Sequence, residues 1–320
     1  MDRRQLLVAA GAAAVSLARS PVAFASRVGE TPQVYVTADL ESHVVVLELR
    51  TGRVLERIRT GPGPRSIEAV RQTIAVVAHT EHGVVSLLDA TTGRLRAEVE
   101  GFAAPRYTAV LPGGSYAYVT DSEREEVVVL DADRGRVLWR TAVPGPARHI
   151  SLSPDGGTLW TVLGTAAAHI AVLDTSDQRR PRLARTLAPP FLAHDVVFAP
   201  DGRSAWVTSG DERALAIYRG RKPARLLEAG APPQHVAFGR EKAFVASGDD
   251  GTVRRHRLDG ELVREARVPI GSYNLTFDWA GLVSPSLATG TISALDRNGR
   301  VRMVRKVARA AHDACIVIGP

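Results

Sequence analysis

The stretch from His194 to Ser209 reads HDVVFAPDGRSAWVTS, and its pattern recurs along most of the chain. Apolar residues up to Phe198 predict a β-strand, and Pro200-Asp201-Gly202 supplies residues that favour a tight turn. The aromatic and β-branched run Trp206-Val207-Thr208 predicts a second strand. The stretch therefore predicts a β-hairpin, and the fold follows from how often that hairpin is repeated.

The segment that opens this hairpin occurs seven times. Its copies are spaced by 41, 42, 46, 40, 39 and 39 residues. A period near 40 residues, with several short strands in each unit, is typical of β-propeller blades. The copies are Arg65-Ser66-Ile67, Arg106-Tyr107-Thr108, Arg148-His149-Ile150, His194-Asp195-Val196, Gln234-His235-Val236, Tyr273-Asn274-Leu275 and His312-Asp313-Ala314.

The two ends of the repeated region predict how the ring closes. Val34 to Ile58 contains patterns for a second, third and fourth strand but none for a first. His312 to Ile318 is a first strand with nothing after it, so the two ends together complete one blade. Closure of this kind removes open sheet edges. With six continuous blades, the sequence predicts an all-β fold, a seven-bladed β-propeller of four-stranded blades that forms a single domain over residues 26–320.

Residues 1–25 have the layout of a signal peptide. Arg3-Arg4 is followed by leucines and an Ala-rich stretch, and Ala23-Phe24-Ala25 gives a small-x-small cleavage pattern. The paired arginines resemble a twin-arginine export signal. We therefore expect cleavage after Ala25 and a periplasmic or extracellular protein.

Composition excludes several classes of function. The formal net charge is +7, but charges of both signs are mixed along the chain without a basic stripe between aromatic residues, so no nucleic acid is expected. No apolar run approaches the roughly 20 residues of a transmembrane span. Cys315 is the only cysteine, which excludes an intramolecular disulfide.

The strand and turn motifs carry a resemblance to a known family. Tyr35-Val36-Thr37, Tyr118-Val119-Thr120 and Trp206-Val207-Thr208, together with the Pro-Asp-Gly turns, resemble the YVTN-repeat, YncE-like propellers. The resemblance covers residues 26–320 and implies the same architecture. It implies no single activity, because that family includes proteins with no assigned reaction and others that bind DNA, metals or haem-like groups.

The seven recurring segments should lie at the mouth of the central channel. In the first strand of a blade, apolar residues such as Ile150 and Leu152 occupy every second position. The second residue of each segment lies at the intervening positions, so it should point into the channel. Imidazoles with carboxylates suit a divalent metal such as Zn, Mn, Fe or Cu, or an acid/base pair. Ordered water in a polar mouth is the alternative. The candidate metal ligands are His149, Asp195, His235 and Asp313.

The remaining candidates form a ligand-binding set. Three arginines come from adjacent blades and would hold a carboxylate or phosphate through forked hydrogen bonds. The predicted ligand-binding residues of the mouth are Arg65, Arg106, Arg148, His194, Tyr273, Asn274 and His312.

Two classes of function fit these residues. The first is a non-catalytic platform that binds a small anionic ligand, a cell-envelope component or a protein partner, since no catalytic motif such as Gly-x-Ser-x-Gly or His-Glu-x-x-His occurs. The alternative is a metal-dependent lyase or hydrolase whose arginines hold an anionic substrate. A haem- or quinone-type cofactor is a third option.

Overall fold

A computed structural model describes residues 31–111 and 113–319. Within these ranges the protein forms 28 strands, arranged as seven four-stranded antiparallel sheets, and no helix. The prediction of an all-β, seven-bladed propeller is confirmed. The described ranges accordingly hold no helix with the length and apolar character needed to cross a membrane. The predicted signal peptide, residues 1–25, lies outside the described residues.

The strands follow one another with short connecting turns. In chain order they are β1 (Pro32–Ala38), β2 (His43–Glu48), β3 (Val54–Arg59), β4 (Pro64–Val70), β5 (Ile74–His79), β6 (Val84–Asp89), β7 (Arg94–Val99), β8 (Pro105–Val110), β9 (Tyr116–Asp121), β10 (Glu126–Asp131), β11 (Arg136–Ala142), β12 (Ala147–Leu152), β13 (Thr158–Leu163), β14 (Ile170–Asp174), β15 (Arg182–Leu187), β16 (Asp195–Phe198), β17 (Ser204–Thr208), β18 (Ala214–Arg219), β19 (Lys222–Glu228), β20 (Val236–Gly239), β21 (Lys242–Ser247), β22 (Thr252–Arg257), β23 (Leu262–Arg267), β24 (Thr276–Asp278), β25 (Gly281–Pro285), β26 (Thr291–Leu295), β27 (Val301–Lys306) and β28 (Ala311–Ile318).

Ring closure is as predicted. Six blades are built from consecutive strands, and the seventh has the order β28-β1-β2-β3. β28 pairs antiparallel with β1, with Gln33 opposite Val317 and Tyr35 opposite Cys315. The innermost strands of the seven blades are therefore β28, β4, β8, β12, β16, β20 and β24.

The core consists of seven apolar clusters, one between each pair of neighbouring blades. Tyr35 of β1 packs towards the blade that begins with β4, whereas its neighbours Val34 and Val36 pack towards the blade that ends with β27. Successive strand residues face opposite sides of a sheet, so a blade covered on both faces needs continuous apolar strands. The runs of valine and leucine in the second and third strands follow from this requirement.

Two threonines of the recurring Val-Thr pattern, Thr37 and Thr208, link an inner strand to the next blade. Thr208 Oγ1 accepts a hydrogen bond from the Asp195 N–H at 3.1 Å and donates to the Gln234 carbonyl at 2.7 Å. Thr37 Oγ1 accepts from the Asp313 N–H at 2.9 Å and donates to the Arg65 carbonyl at 2.8 Å. These bonds fix the first residues of the inner strands, which are the residues that line the channel mouth.

Candidate metal centre at the channel mouth

Three histidines from three consecutive blades meet at the channel mouth. His149 lies on β12, while His194 and His235 directly precede β16 and β20. One ring nitrogen of each residue lies within 4.8 Å of those of the other two, and within the described residues no other group of three metal-ligating side chains is as close. Three converging imidazoles form the ligand set of a transition-metal site with one open position.

Polar contacts orient two of the three rings. His194 Nδ1 donates to the Thr165 carbonyl at 3.0 Å, and His235 Nδ1 faces Asp195 Oδ2 at 3.3 Å. With the proton held on Nδ1, the Nε2 lone pair of each ring is free to bind a metal. His149 is 2% exposed, and neither of its ring nitrogens has a hydrogen-bond partner among the described residues. A bound metal would supply the missing partner of a buried polar ring, whose unpaired state costs free energy.

Burial keeps His149 and His194 neutral. Burial lowers the pKa of His149 well below its usual value, and the nearby His235 and His194 lower it further. Burial, followed by His235, lowers the pKa of His194 to about 4. A metal competes with protons for the imidazole lone pair, so neutral rings at pH 7 favour metal binding.

The three rings lie at the boundary between two cavities. His194 lines a mouth cavity of about 350 Å³, and His149 lines a channel cavity of about 280 Å³. His235 and Tyr107 line both, and the Tyr107 ring packs on His149 with 3.8 Å between ring centroids. A metal held by the three histidines would therefore be reached from the mouth.

The two predicted carboxylate ligands make bonds between blades instead. Asp195 accepts hydrogen bonds from the N–H groups of Val196 at 2.8 Å and Val236 at 3.3 Å, the latter in the next blade. Asp313 likewise accepts from the Ile67 N–H of the next blade at 3.0 Å, and burial raises its pKa to about 6. Of the four predicted metal ligands, the structure brings His149 and His235 together, with Asp195 orienting His235 from behind.

His194 joins the cluster although strand alternation placed it on the other face. It precedes β16, so the alternation of that strand does not apply to it. It also needs space at Gly210, where a Cβ would lie 2.6 Å from His194 Cβ and where φ is +82°. The Ser209-Gly210 pair after the second strand is the sequence signal that would have indicated this position.

The arginines form one side of the mouth. Arg65 pairs with Asp39 at 3.3 Å, and Arg106 Nε donates to Ser122 Oγ at 3.1 Å. The Nε atoms of Arg65 and Arg148 are buried without a hydrogen-bond partner among the described residues. Burial lowers the pKa of Arg106, and the charges of Arg148 and Arg65 lower it further, so the three guanidinium groups lie close enough to repel one another.

The other predicted mouth residues hold the rim in place. The Tyr273 hydroxyl donates to Asp249 Oδ1 at 2.7 Å, a bond that together with burial raises the pKa of Tyr273 to about 12. Asn274 Nδ2 donates to the His312 carbonyl at 2.8 Å, and His312 Nδ1 donates to the Arg65 carbonyl at 2.9 Å. Burial, and then the charge of Arg65, lowers the pKa of His312 to about 3. His312 stands outside the histidine cluster.

A buried acid further down the channel gives a testable pH effect. Burial raises the pKa of Glu68 from 4.5 to about 8. Ionisation of Glu68 is therefore unfavourable in the folded state, whereas the unfolded chain ionises freely. The free energy of unfolding contributed by this group therefore falls as the pH rises from 4.5 towards 8. We expect Glu68→Gln to be more stable than the parent by about 1–3 kcal/mol at pH 8, less than burial alone implies because the side chain lines the channel cavity, with the difference vanishing near pH 4.5.

Urea unfolding at pH 8 and pH 5 measures this difference. The exposed Glu100, replaced by Gln, is the matched control and should give a pH-independent difference near zero. A Glu68→Gln protein that is less stable than the parent at pH 8 would contradict the assignment.

Sequence comparison relates the chain to one family. A family model described as outer membrane protein assembly factor BamB matches residues 81–274. The outer membrane protein assembly factor BamB of Yersinia pestis is 26% identical over an alignment of 243 positions that covers 72% of this chain and 51% of that protein. The chain thus spans about half the length of the curated relative it matches.

Solved structures with the same fold are more distant in sequence. They include a functionally unknown protein from Desulfotomaculum acetoxidans (TM-score 0.77, 14% identity, 90% of this chain and 99% of that chain). Hydrazine synthase of Kuenenia stuttgartiensis is similar with a TM-score of 0.72 and 16% identity, covering 83% of this chain and 93% of that one. AztD of Citrobacter koseri gives a TM-score of 0.70 at 12% identity, over 91% of this chain and 99% of that one. At these identities the similarity establishes the propeller fold alone.

Proposed function

This chain belongs to the family of the outer membrane protein assembly factor BamB, and from that premise we propose that it is an exported propeller that acts by binding rather than by catalysis. Its ligand at the channel mouth is a divalent transition-metal ion held by His149, His194 and His235. The observation that carries this proposal is the convergence of the three imidazoles within 4.8 Å on a rigid ring of blades.

The donor set selects the class of metal. Three imidazole nitrogens suit Zn²⁺ and neighbouring transition metals, whereas Ca²⁺ and Mg²⁺ prefer oxygen ligands. Asp195 holds the Nδ1 side of His235, an arrangement that orients the ring and raises its basicity as a ligand. We therefore propose Zn²⁺ as the best-fitting ion.

Export and partners form the rest of the proposal. The signal-peptide pattern of residues 1–25 supports export after cleavage near Ala25. The family description, an outer membrane assembly factor, supports a place in the cell envelope and a protein partner. Within the propellers, the Tyr-Val-Thr motifs support a YVTN-repeat, YncE-like subgroup.

Metal analysis tests the proposal directly. Protein purified from the exported fraction without chelators or metal-affinity tags should contain close to one Zn²⁺ per chain by elemental mass spectrometry. After removal of the metal, Zn²⁺ at 100 times its Kd should stabilise the fold by about 2.7 kcal/mol and raise the thermal midpoint by several degrees. A folded protein that takes up no stoichiometric Zn²⁺, Co²⁺ or Cu²⁺ would overturn the proposal.

The open coordination position favours a second candidate. Catalytic zinc sites also use three protein ligands and leave one position for water or substrate. A metal-dependent lyase or hydrolase would turn over a carboxylated or phosphorylated compound in the zinc-loaded form. Turnover that is lost with His149 would replace the binding function by this one.

A further inference from the structure

Once a metal is bound, the mouth carries more positive charge than the nearby carboxylates balance. Metal-bound imidazoles are neutral and leave the two charges of a divalent ion uncompensated; Asp195 is the one described carboxylate that pairs with the cluster, and Asp211 and Asp249 also line the mouth cavity. Arg65, Arg106 and Arg148 add three positive charges nearby. Positive charges gathered in one partly buried place repel one another, so this arrangement favours a further anion.

The arginines also have unused donors. Arg65 shares its guanidinium with Asp39, while no described carboxylate lies within ion-pairing distance of Arg106 or Arg148. The buried Nε atoms of Arg65 and Arg148 have no hydrogen-bond partner in the described part of the chain. Guanidinium groups present planar, forked donors that match a carboxylate or a phosphate.

Two of the arginine side chains line the same cavity as two of the histidines. Arg65 and Arg148 line the mouth cavity of about 350 Å³ together with His194 and His235. A water molecule occupies about 30 Å³ in the liquid, so this cavity has room for a small ligand beside the metal. Resting on the proposed metal site, we propose that the mouth binds its metal together with a small oxyanion, which fills the open coordination position and is held by Arg65 and Arg148.

This coupling is reciprocal and measurable. Co²⁺ serves as the probe, because its visible absorption reports the number and type of its ligands. With free Co²⁺ fixed by a metal buffer in HEPES, malonate or inorganic phosphate should raise the Co²⁺ affinity at least tenfold, within the roughly 5- to 150-fold range of typical couplings. The same addition should change the visible spectrum. An effect of malonate alone identifies a carboxylate ligand, and an effect of phosphate alone identifies a phosphate ligand.

Substitutions distinguish the contribution of the arginines to anion binding from the contribution of the histidines to metal binding. In the Arg65→Gln/Arg148→Gln protein the anion effect should disappear, while Co²⁺ affinity in anion-free HEPES should rise because like charges have been removed. The exposed Arg94→Gln on β7 is the matched control and should retain the full anion effect. The wild-type spectra answer the question even if the double variant does not fold.

Two results would overturn the inference. One is a wild-type affinity and spectrum that neither anion changes, and the other is an equal anion effect in the wild type and the double variant. In both cases Co²⁺ binding in anion-free buffer would still support the metal site. Absence of Co²⁺ binding under every condition would instead remove the proposed function itself.

Discussion

His149→Phe should lower the Zn²⁺ affinity at least about 100-fold, more than the roughly 10- to 100-fold cost of altering a residue behind a ligand. We expect the metal-free protein, in contrast, to become about 1 kcal/mol more stable. Affinity falls because one of three ligands is gone. Stability rises because His149 is a 2% exposed ring whose nitrogens have no hydrogen-bond partner among the described residues, and an apolar ring of similar size removes that penalty. Opposite changes in binding and stability are the mark of a residue kept for function.

Zinc titration and urea unfolding of the metal-free protein measure the two effects. The same substitution at His169, an exposed residue outside the cluster, is the control and should leave Zn²⁺ affinity unchanged. If His149→Phe bound Zn²⁺ as the parent does, the cluster would not be the metal site. If it were much less stable, His149 would be a structural residue.

Gly210→Ala is the second substitution with a large expected effect. The new Cβ would lie 2.6 Å from His194 Cβ and 2.7 Å from its Cγ, on a residue whose φ is +82°. We expect the His194 ring to move and Zn²⁺ affinity to fall at least tenfold, because a displaced ligand no longer reaches the common centre. The left-handed backbone adds a loss of about 1–2 kcal/mol in stability.

Gly202→Ala separates the effect of backbone strain from the effect of displacing the His194 ring. Gly202 also has a positive φ, +64°, but nothing lies within 4 Å of its added Cβ. Its replacement should cost a similar 1–2 kcal/mol in thermal unfolding and leave Zn²⁺ binding intact. Equal zinc affinity in the two alanine variants would contradict a role for Gly210 in positioning His194.

The fold could be predicted because its signals are repeated and local. The Val-Thr strand and the Pro-Asp-Gly turn recur at blade spacing, and the missing first strand before Val34 indicated closure by the segment from His312. Hydrophobic alternation and turn chemistry act over a few residues, so a sequence shows them directly. The pairing of β28 with β1 then followed from the count of strands.

The site was harder to predict because it forms at the ends of strands, where hydrophobic alternation stops. Alternation assigned His149 and His235 to the channel and His194 to the opposite face, but His194 and His235 both lie just before their strands, where the period of two no longer fixes the direction of a side chain. The pairing of β12 with β13 also shifts between Ala147 and Ile150, next to His149. The interblade hydrogen bonds of Asp195 and Asp313 depend on the neighbouring blade, which no local pattern shows.

Closure by β28 also sets an order of events during synthesis. The strand partners β1 and β28 are separated by more than 270 residues, so β1 waits roughly 15–55 s for its neighbour at about 5–20 residues per second. The three histidines lie between β12 and β20 and can come together while the ring is still open. The contact between Arg65 and His312 needs the last strand. This part of the arginine side of the mouth therefore cannot form before the last strand has been made, whereas the histidine side does not depend on that strand.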